Sequence, residues 1–230
     1  MAILRSLLFY PAFYVGSVGY ILLGALLLAL RQYPAFERVV RGWARYHRAC
    51  AHYLLGIRLI VEGEMPTGPV LIAMKHESFY EAIDMPGFFD RPAVFAKAEL
   101  MRIPVWGRIG QAYGLIAVRR DQGAAALRAM LAAARDYSAA GRPLVIFPEG
   151  TRIPHGQRGE LQAGFAGLYK LLGLPVVPVA ANSGPLYHRW WKRAGTVTFR
   201  IGATIPPGLP REEIEARVQD ALNALNEPAA

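Results

Sequence analysis

A chain of 230 residues and 25.3 kDa has the size of one large domain or at most two small ones, long enough for an apolar core without disulfide or metal staples. Apolar residues make up 53% of it, which excludes intrinsic disorder, and the lack of several long apolar spans excludes a polytopic transporter. With 26 Lys+Arg against 17 Asp+Glu, a formal charge of +9 and a mean hydropathy of +0.22, the chain is both apolar and basic, which points to an anionic membrane surface; nucleic acid is not expected, because no reading motif accompanies the charge.

The first element is Ser6 to Leu30, which contains no charged residue. It is long enough to cross a bilayer core, which takes about 20 helical residues. Pro11, Gly16, Gly19 and Gly24 divide it into two shorter halves. Arg5 precedes it, and Arg31, Arg38, Arg41, Arg45 and Arg48 follow. A single span would put one basic end on the far side, against the positive-inside tendency. A shallow helical hairpin would keep both ends with anionic lipid. A signal peptide and a buried core helix compete with the anchor, but no small-x-small cleavage site precedes the basic run. Residues 1–53 are therefore read as a membrane-associated helical segment and 54–230 as one α/β domain.

In that domain Ile57 to Glu62, Val70 to Met74, Val94 to Ala96, Gly114 to Val118, Leu144 to Phe147, Val176 to Ala180 and Thr196 to Ile201 read as strands. Gly123 to Ala140 is a helix with Leu127, Met130, Leu131 and Ala134 on one stripe and Gly141 as its stop. Glu212 to Leu225 is another, with Ile214, Val218, Ala221, Leu222 and Leu225 facing inward. Strands interleaved with helices predict an α/β fold with a mixed, largely parallel sheet flanked by helices. The single cysteine, Cys50, excludes an intramolecular disulfide and is expected to be buried.

Four strand ends carry polar or Gly-rich residues, where α/β sheets bind ligands. The first is Lys75-His76-Glu77-Ser78-Phe79-Tyr80-Glu81. His76, directly after a buried run, suits a general base, and such a base needs a carboxylate to fix its tautomer. Glu81 is five residues on, about 140° away around a continuous helix, so the two can meet only if His76 precedes the helix start. Ser78 with Glu81 three later is a capping-box pattern that supplies that start. The same pattern equally explains Glu81 as a backbone cap with no catalytic part, and Asp84 is a fallback partner. The other blocks are Gly114 to Arg120, Phe147-Pro148-Glu149-Gly150-Thr151-Arg152, and Val177 to Ala180 with the turn Asn182-Ser183-Gly184.

In order and spacing these blocks resemble the glycerolipid acyltransferase family, specifically the bacterial 1-acylglycerol-3-phosphate acyltransferases. The likeness runs from Lys75 to Ala180 and departs from the family at the acid, where Glu81 stands in place of the usual Asp. It implies direct acyl transfer to a lysophospholipid hydroxyl from acyl-CoA or acyl carrier protein, yielding phosphatidic acid. His76 would be the base and Glu81 its orienting acid. Lys97, Arg120 and Arg152 would hold the substrate phosphate, and Glu149, with Gly150 and Thr151, would contact the glycerol or support the loop. Glu149 would otherwise cap the next helix. Backbone N–H groups at the His76 or Gly150 turns would bind the oxyanion. The implied location is the bacterial inner membrane, with the domain on the cytoplasmic face.

No cofactor or metal is expected. Gly-x-Ser-x-Gly is absent, no P-loop or dinucleotide motif occurs, and Tyr80 stands where a zinc protease needs His. Transfer to another lysolipid, such as a lyso-ornithine lipid, is the alternative within the family. A non-catalytic module binding anionic membrane is the alternative outside it.

Overall fold

The computed structural model describes residues 1–118 and 123–226. Seven strands form one sheet: β1 Ile57–Glu62, β2 Leu71–Met74, β3 Ala93–Lys97, β4 Leu115–Val118, β5 Leu144–Ile146, β6 Val176–Ala181 and β7 Gly195–Ile201. Their order is β1-β7-β6-β2-β5-β3-β4. The five strands from β6 to β4 are parallel, β7 is antiparallel to β6, and β1 pairs parallel with β7. All seven expected strands are present, with small shifts at their ends.

The apolar runs are continuous because the central strands are covered on both faces. Along β2, Leu71 and Ala73 point into one cluster with Phe165, Leu168, Ile214 and Val218, while Ile72 and Met74 point into the other. The first cluster lies under α5 Gly123–Ala139, α6 Ala163–Leu172 and α8 Arg211–Leu222. The second lies under the N-terminal helices and α3 Phe79–Phe88. The remaining helices are α4 Trp106–Tyr113 and the short α7 Gly184–Tyr187.

The N-terminal segment differs from its expectation. α1 runs unbroken from Ala2–Ala29, with Pro11 inside it, and α2 covers Tyr33–Cys50 before a π-helical turn, Ala51–Leu55. The glycines do not break α1, and one of them, Gly16, admits its neighbour. A side chain at Gly16 would collide with the Tyr46 ring, whose Oη donates to the Ala12 carbonyl at 2.5 Å. The hairpin is thus made by α1 and α2, turning at Arg31 in the left-handed region (φ 56°), rather than by two halves of α1. Only 17% of the apolar window of α1 is buried, and Leu4, Leu8, Val15, Leu22 and Leu26 face outward. Of the following basic run, Arg31, Arg38 and Arg45 are exposed, whereas Arg41 pairs with Asp90 and Arg48 with Asp84.

Phe9 and Phe13 of α1 share one core cluster with Tyr80, Tyr187 and Phe199. His47 of α2 sits fully buried among these rings, its Nε2 2.7 Å from Tyr187 Oη. Burial, with Lys192 and Arg48 adding, pushes this imidazole down to about 3. The folded state therefore keeps His47 neutral where the unfolded chain accepts a proton, so stability is lost as pH falls below about 6.5. The expected slope is roughly 1.4 kcal/mol per pH unit until the folded value is reached. In urea titrations between these limits His47→Gln should lose that component of the slope; identical pH profiles for the two proteins would refute it.

Candidate active site

β2 ends at the centre of the sheet, and its next residues are locked from both sides. Lys75 N–H donates to the Val179 carbonyl of β6 at 2.9 Å, and the His76 carbonyl accepts from Ile153 N–H at 2.8 Å. Ser78 is the N-cap of α3, its Oγ accepting from Tyr80 N–H at 3.0 Å, and Glu81 completes the capping box. His76 consequently precedes the helix, and its Nδ1 lies 3.1 Å from Glu81 Oε1.

Glu81 is therefore helix cap and partner of the His76 ring at once. Oε1 also accepts the N–H groups of Glu77 and Ser78, each at 2.6 Å. Oε2 accepts from Ser78 Oγ at 3.0 Å and Ser183 Oγ at 2.5 Å. Burial alone would raise this carboxyl, but His76, Ser183 and the Ser78 N–H outweigh it and hold it below its ordinary value. Glutamate rather than aspartate suits this geometry, since a carboxylate at the third helical position must reach back past the cap. Asp84 does not serve as the fallback, because its buried carboxylate is held bidentately by Arg48 at 3.0 and 2.7 Å. With Nδ1 facing a carboxylate, Nε2 of His76 is the nitrogen left for proton transfer. Phe147 fixes the ring from the side, with centroids 4.4 Å apart.

Arg152 reaches this turn: its guanidinium lies 4.4 Å over the ring of Phe79, and Nη1 is 3.4 Å from His188 Nδ1. Lys97 ends β3, two strands from β2, and faces solvent beside Glu99 at 3.5 Å. Arg120 lies outside the described residues. Gly150 adopts φ 69° and closes its turn on the Phe147 carbonyl at 2.9 Å, and Thr151 is exposed. The His76 N–H points to Glu149 Oε2 at 3.4 Å, so the N–H groups of His76 and Gly150 themselves both have partners. Among the described residues no group of three or more His, Cys, Asp or Glu is placed to hold a metal ion.

Glu149 is buried and turned inward, where it ties its loop to Lys75. Its Oε1 is 2.6 Å from the fully buried Lys75 Nζ, which also donates to Asn223 Oδ1 at 3.0 Å and the Gln157 carbonyl at 3.1 Å. It caps no helix: the next one, α6, has Gln162 as its N-cap. Glu77 is the second concealed tie, with Oε1 2.9 Å from His155 Nδ1 and Oε2 accepting Gly184 N–H at 2.8 Å. Lys75, Glu77 and Ser183 were not assigned from the sequence. Their signal was position alone, since β2 and β6 end side by side.

The Lys75–Glu149 pair sets up a stability test. Lys75→Met strands a buried carboxylate and should cost about 3–5 kcal/mol. Lys75→Met with Glu149→Leu removes both charges and should recover most of it. Urea unfolding of both variants measures the coupling; equal losses in the single and double variants would show that the charges are not interdependent.

Residues 58–182 match the family model described as Acyltransferase. A 1-acyl-sn-glycerol-3-phosphate acyltransferase of Pseudomonas aeruginosa is 32% identical over 98% of this chain and 87% of its own. One of Helicobacter pylori is 32% identical over 54% of this chain and 53% of its own. In fold, the crystal structure of the 1-acyl-sn-glycerophosphate (LPA) acyltransferase PlsC from Thermotoga maritima superposes with a TM-score of 0.76 at 22% identity, covering 98% of this chain and 96% of that one. With His76 paired to a buried carboxylate at the carboxyl edge of the sheet, and a family match across more than half its length, the chain belongs to the acyltransferase family.

Proposed function

We propose that this protein transfers an acyl group from acyl-CoA or acyl carrier protein to the free hydroxyl of 1-acylglycerol-3-phosphate, producing phosphatidic acid. The observation that carries the reading is the His76–Glu81 pair with Arg152 beside its turn, in a chain whose curated relatives bear that activity in their names. His76 Nε2 takes the hydroxyl proton as the oxygen attacks the thioester carbonyl carbon. Glu81 stabilises the imidazolium through Nδ1. When the tetrahedral adduct collapses, the C–S bond breaks and the thiolate recovers the proton from His76. Atoms balance without an acyl-enzyme or a cofactor. Arg152 supplies charge-assisted donors for the phosphate; the same role for Lys97 and Arg120 rests on the family resemblance alone.

The outward apolar side of α1 fits lipid, with the domain on the cytoplasmic face of a bacterial inner membrane, where both thioesters are found. An apolar cavity between α1–α2 and the β3–β4 end of the sheet, lined by Ile21, Gly24, Val40, Met85, Ile109 and Leu115, suits the acyl chain. A Cβ at Gly24 would meet Ile109 and Phe36 at 3.7 to 3.9 Å, ordinary contact distances. Gly24→Leu should therefore project into the cavity and shift the product toward shorter acyl chains, read by mass spectrometry of the lipid formed.

The decisive assay follows phosphatidic acid formed from lysophosphatidate and either thioester. His76→Ala should lower turnover by roughly 10²–10⁴-fold, the span of general-base catalysis, with vesicle binding retained. Wild-type transfer only to a lyso-ornithine lipid would replace the substrate. Vesicle binding with no transfer to any lysolipid would leave the non-catalytic module.

A further inference from the structure

Between α7 and β7 runs His188-Arg189-Trp190-Trp191-Lys192-Arg193. Trp190 is 83% exposed and Trp191 46%. Paired indoles facing water forgo a large apolar burial, and a free loop would fold them inward. This loop is not free. The Trp190 carbonyl accepts from Tyr10 Oη at 2.5 Å, and Lys192 N–H donates to the buried Ser6 Oγ at 2.8 Å, both from α1. Arg193 N–H closes the loop on the Leu186 carbonyl at 2.9 Å. The inside of the loop is filled by Lys192, whose Nζ donates to the Tyr187 carbonyl at 2.8 Å and lies 3.7 Å over the Tyr187 ring. Pinned at its backbone and filled from within, the loop holds its indoles outward.

What they face is shared with α1. Trp190, Trp191, Arg189 and Arg193 line one surface depression with Ala2 and Ile3. Beyond it the α1 surface continues through exposed Leu4, Leu7 and Leu8. Arg189 and Arg193 are exposed on the same loop. Apolar surface, indoles and guanidinium groups in one continuous patch match the layers of a bilayer edge: acyl chains, carbonyl level and phosphates.

We propose that residues 188–193 form a second membrane contact, which seats Trp190 and Trp191 at headgroup depth in an anionic bilayer and Arg189 and Arg193 on lipid phosphates. The proposal rests on α1 facing lipid, as read above. The patch favours a bilayer over an acidic protein because it runs without a break into the apolar side of α1. The loop begins at His188, the neighbour of Arg152, and follows α7, whose preceding Ser183 holds Glu81. The contact therefore sets the site's mouth at the level where a lysolipid headgroup lies.

The test uses the full chain and vesicles of phosphatidylcholine with or without about 30 mol% phosphatidylglycerol. Trp190→Ala should keep the wild-type melting temperature, because its ring is almost wholly exposed, and Trp190→Ala/Trp191→Ala should stay folded with a small drop from the half-covered second ring. The double variant should bind anionic vesicles roughly tenfold more weakly, and wild-type indole fluorescence should be quenched by lipid brominated along the acyl chain. Arg189→Gln/Arg193→Gln should lose roughly fivefold per arginine of the preference for phosphatidylglycerol. Unchanged binding by the tryptophan variant would overturn the loop contact while leaving the α1 reading intact. Wild-type protein that binds no vesicles would overturn both. Unchanged vesicle binding with turnover lost on acyl carrier protein but kept on acyl-CoA would assign the loop to an acidic protein instead.

Discussion

A carboxylate withdrawn from water must be met by donors on nearly every lone pair, and Glu81 satisfies that demand with groups from two separate stretches of chain, residues 76–78 and Ser183. Two peptide N–H groups come from the turn after β2, one hydroxyl from the helix cap, one from the turn after β6, and the last donor is the His76 ring. Each donor is fixed in place by what it gives to Glu81. The imidazole inherits its orientation from a helix start, and the helix start is itself held by the sheet. Remove the carboxylate charge and the turn loses its cap, its tie to β6 and its tautomer control together.

The N-terminal helices are tied to the same centre. Tyr80, adjacent to Glu81, packs against His47, and His47 against Tyr187 and the two phenylalanines of α1. Arg48 holds Asp84 one helical turn below Glu81. The exposed apolar helix is thus continuous in packing with the turn that carries His76, so the orientation of α1 also sets the orientation of the candidate site.

Much of this was legible in the sequence, for local reasons. The seven strands announced themselves as short β-branched runs, and alternate burial into two clusters explains why those runs lacked polar alternation. The meeting of His76 and Glu81 followed from a spacing argument about where α3 begins. What stayed hidden depends on which strands lie side by side. Lys75 reads as a surface residue until β2 is placed centrally and Glu149 and Asn223 arrive beside it. Ser183 becomes a partner of Glu81 only because β6 neighbours β2 across more than a hundred residues of sequence. Gly16 of α1 misled for a related reason: its small size serves a partner helix that no local rule reveals.

Lys75 also links the site to the order in which the chain is made. Its ammonium group is buried one residue before the base, and one of its acceptors is Asn223, at the C-cap of α8. During synthesis the strands carrying His76 and the Glu149 loop leave the ribosome long before α8 does. Until α8 docks, that buried charge is one acceptor short and the floor of the catalytic turn is unfinished. A nascent chain would thus have its long apolar N-terminal helix out of the ribosome well before the turn that carries His76 was complete.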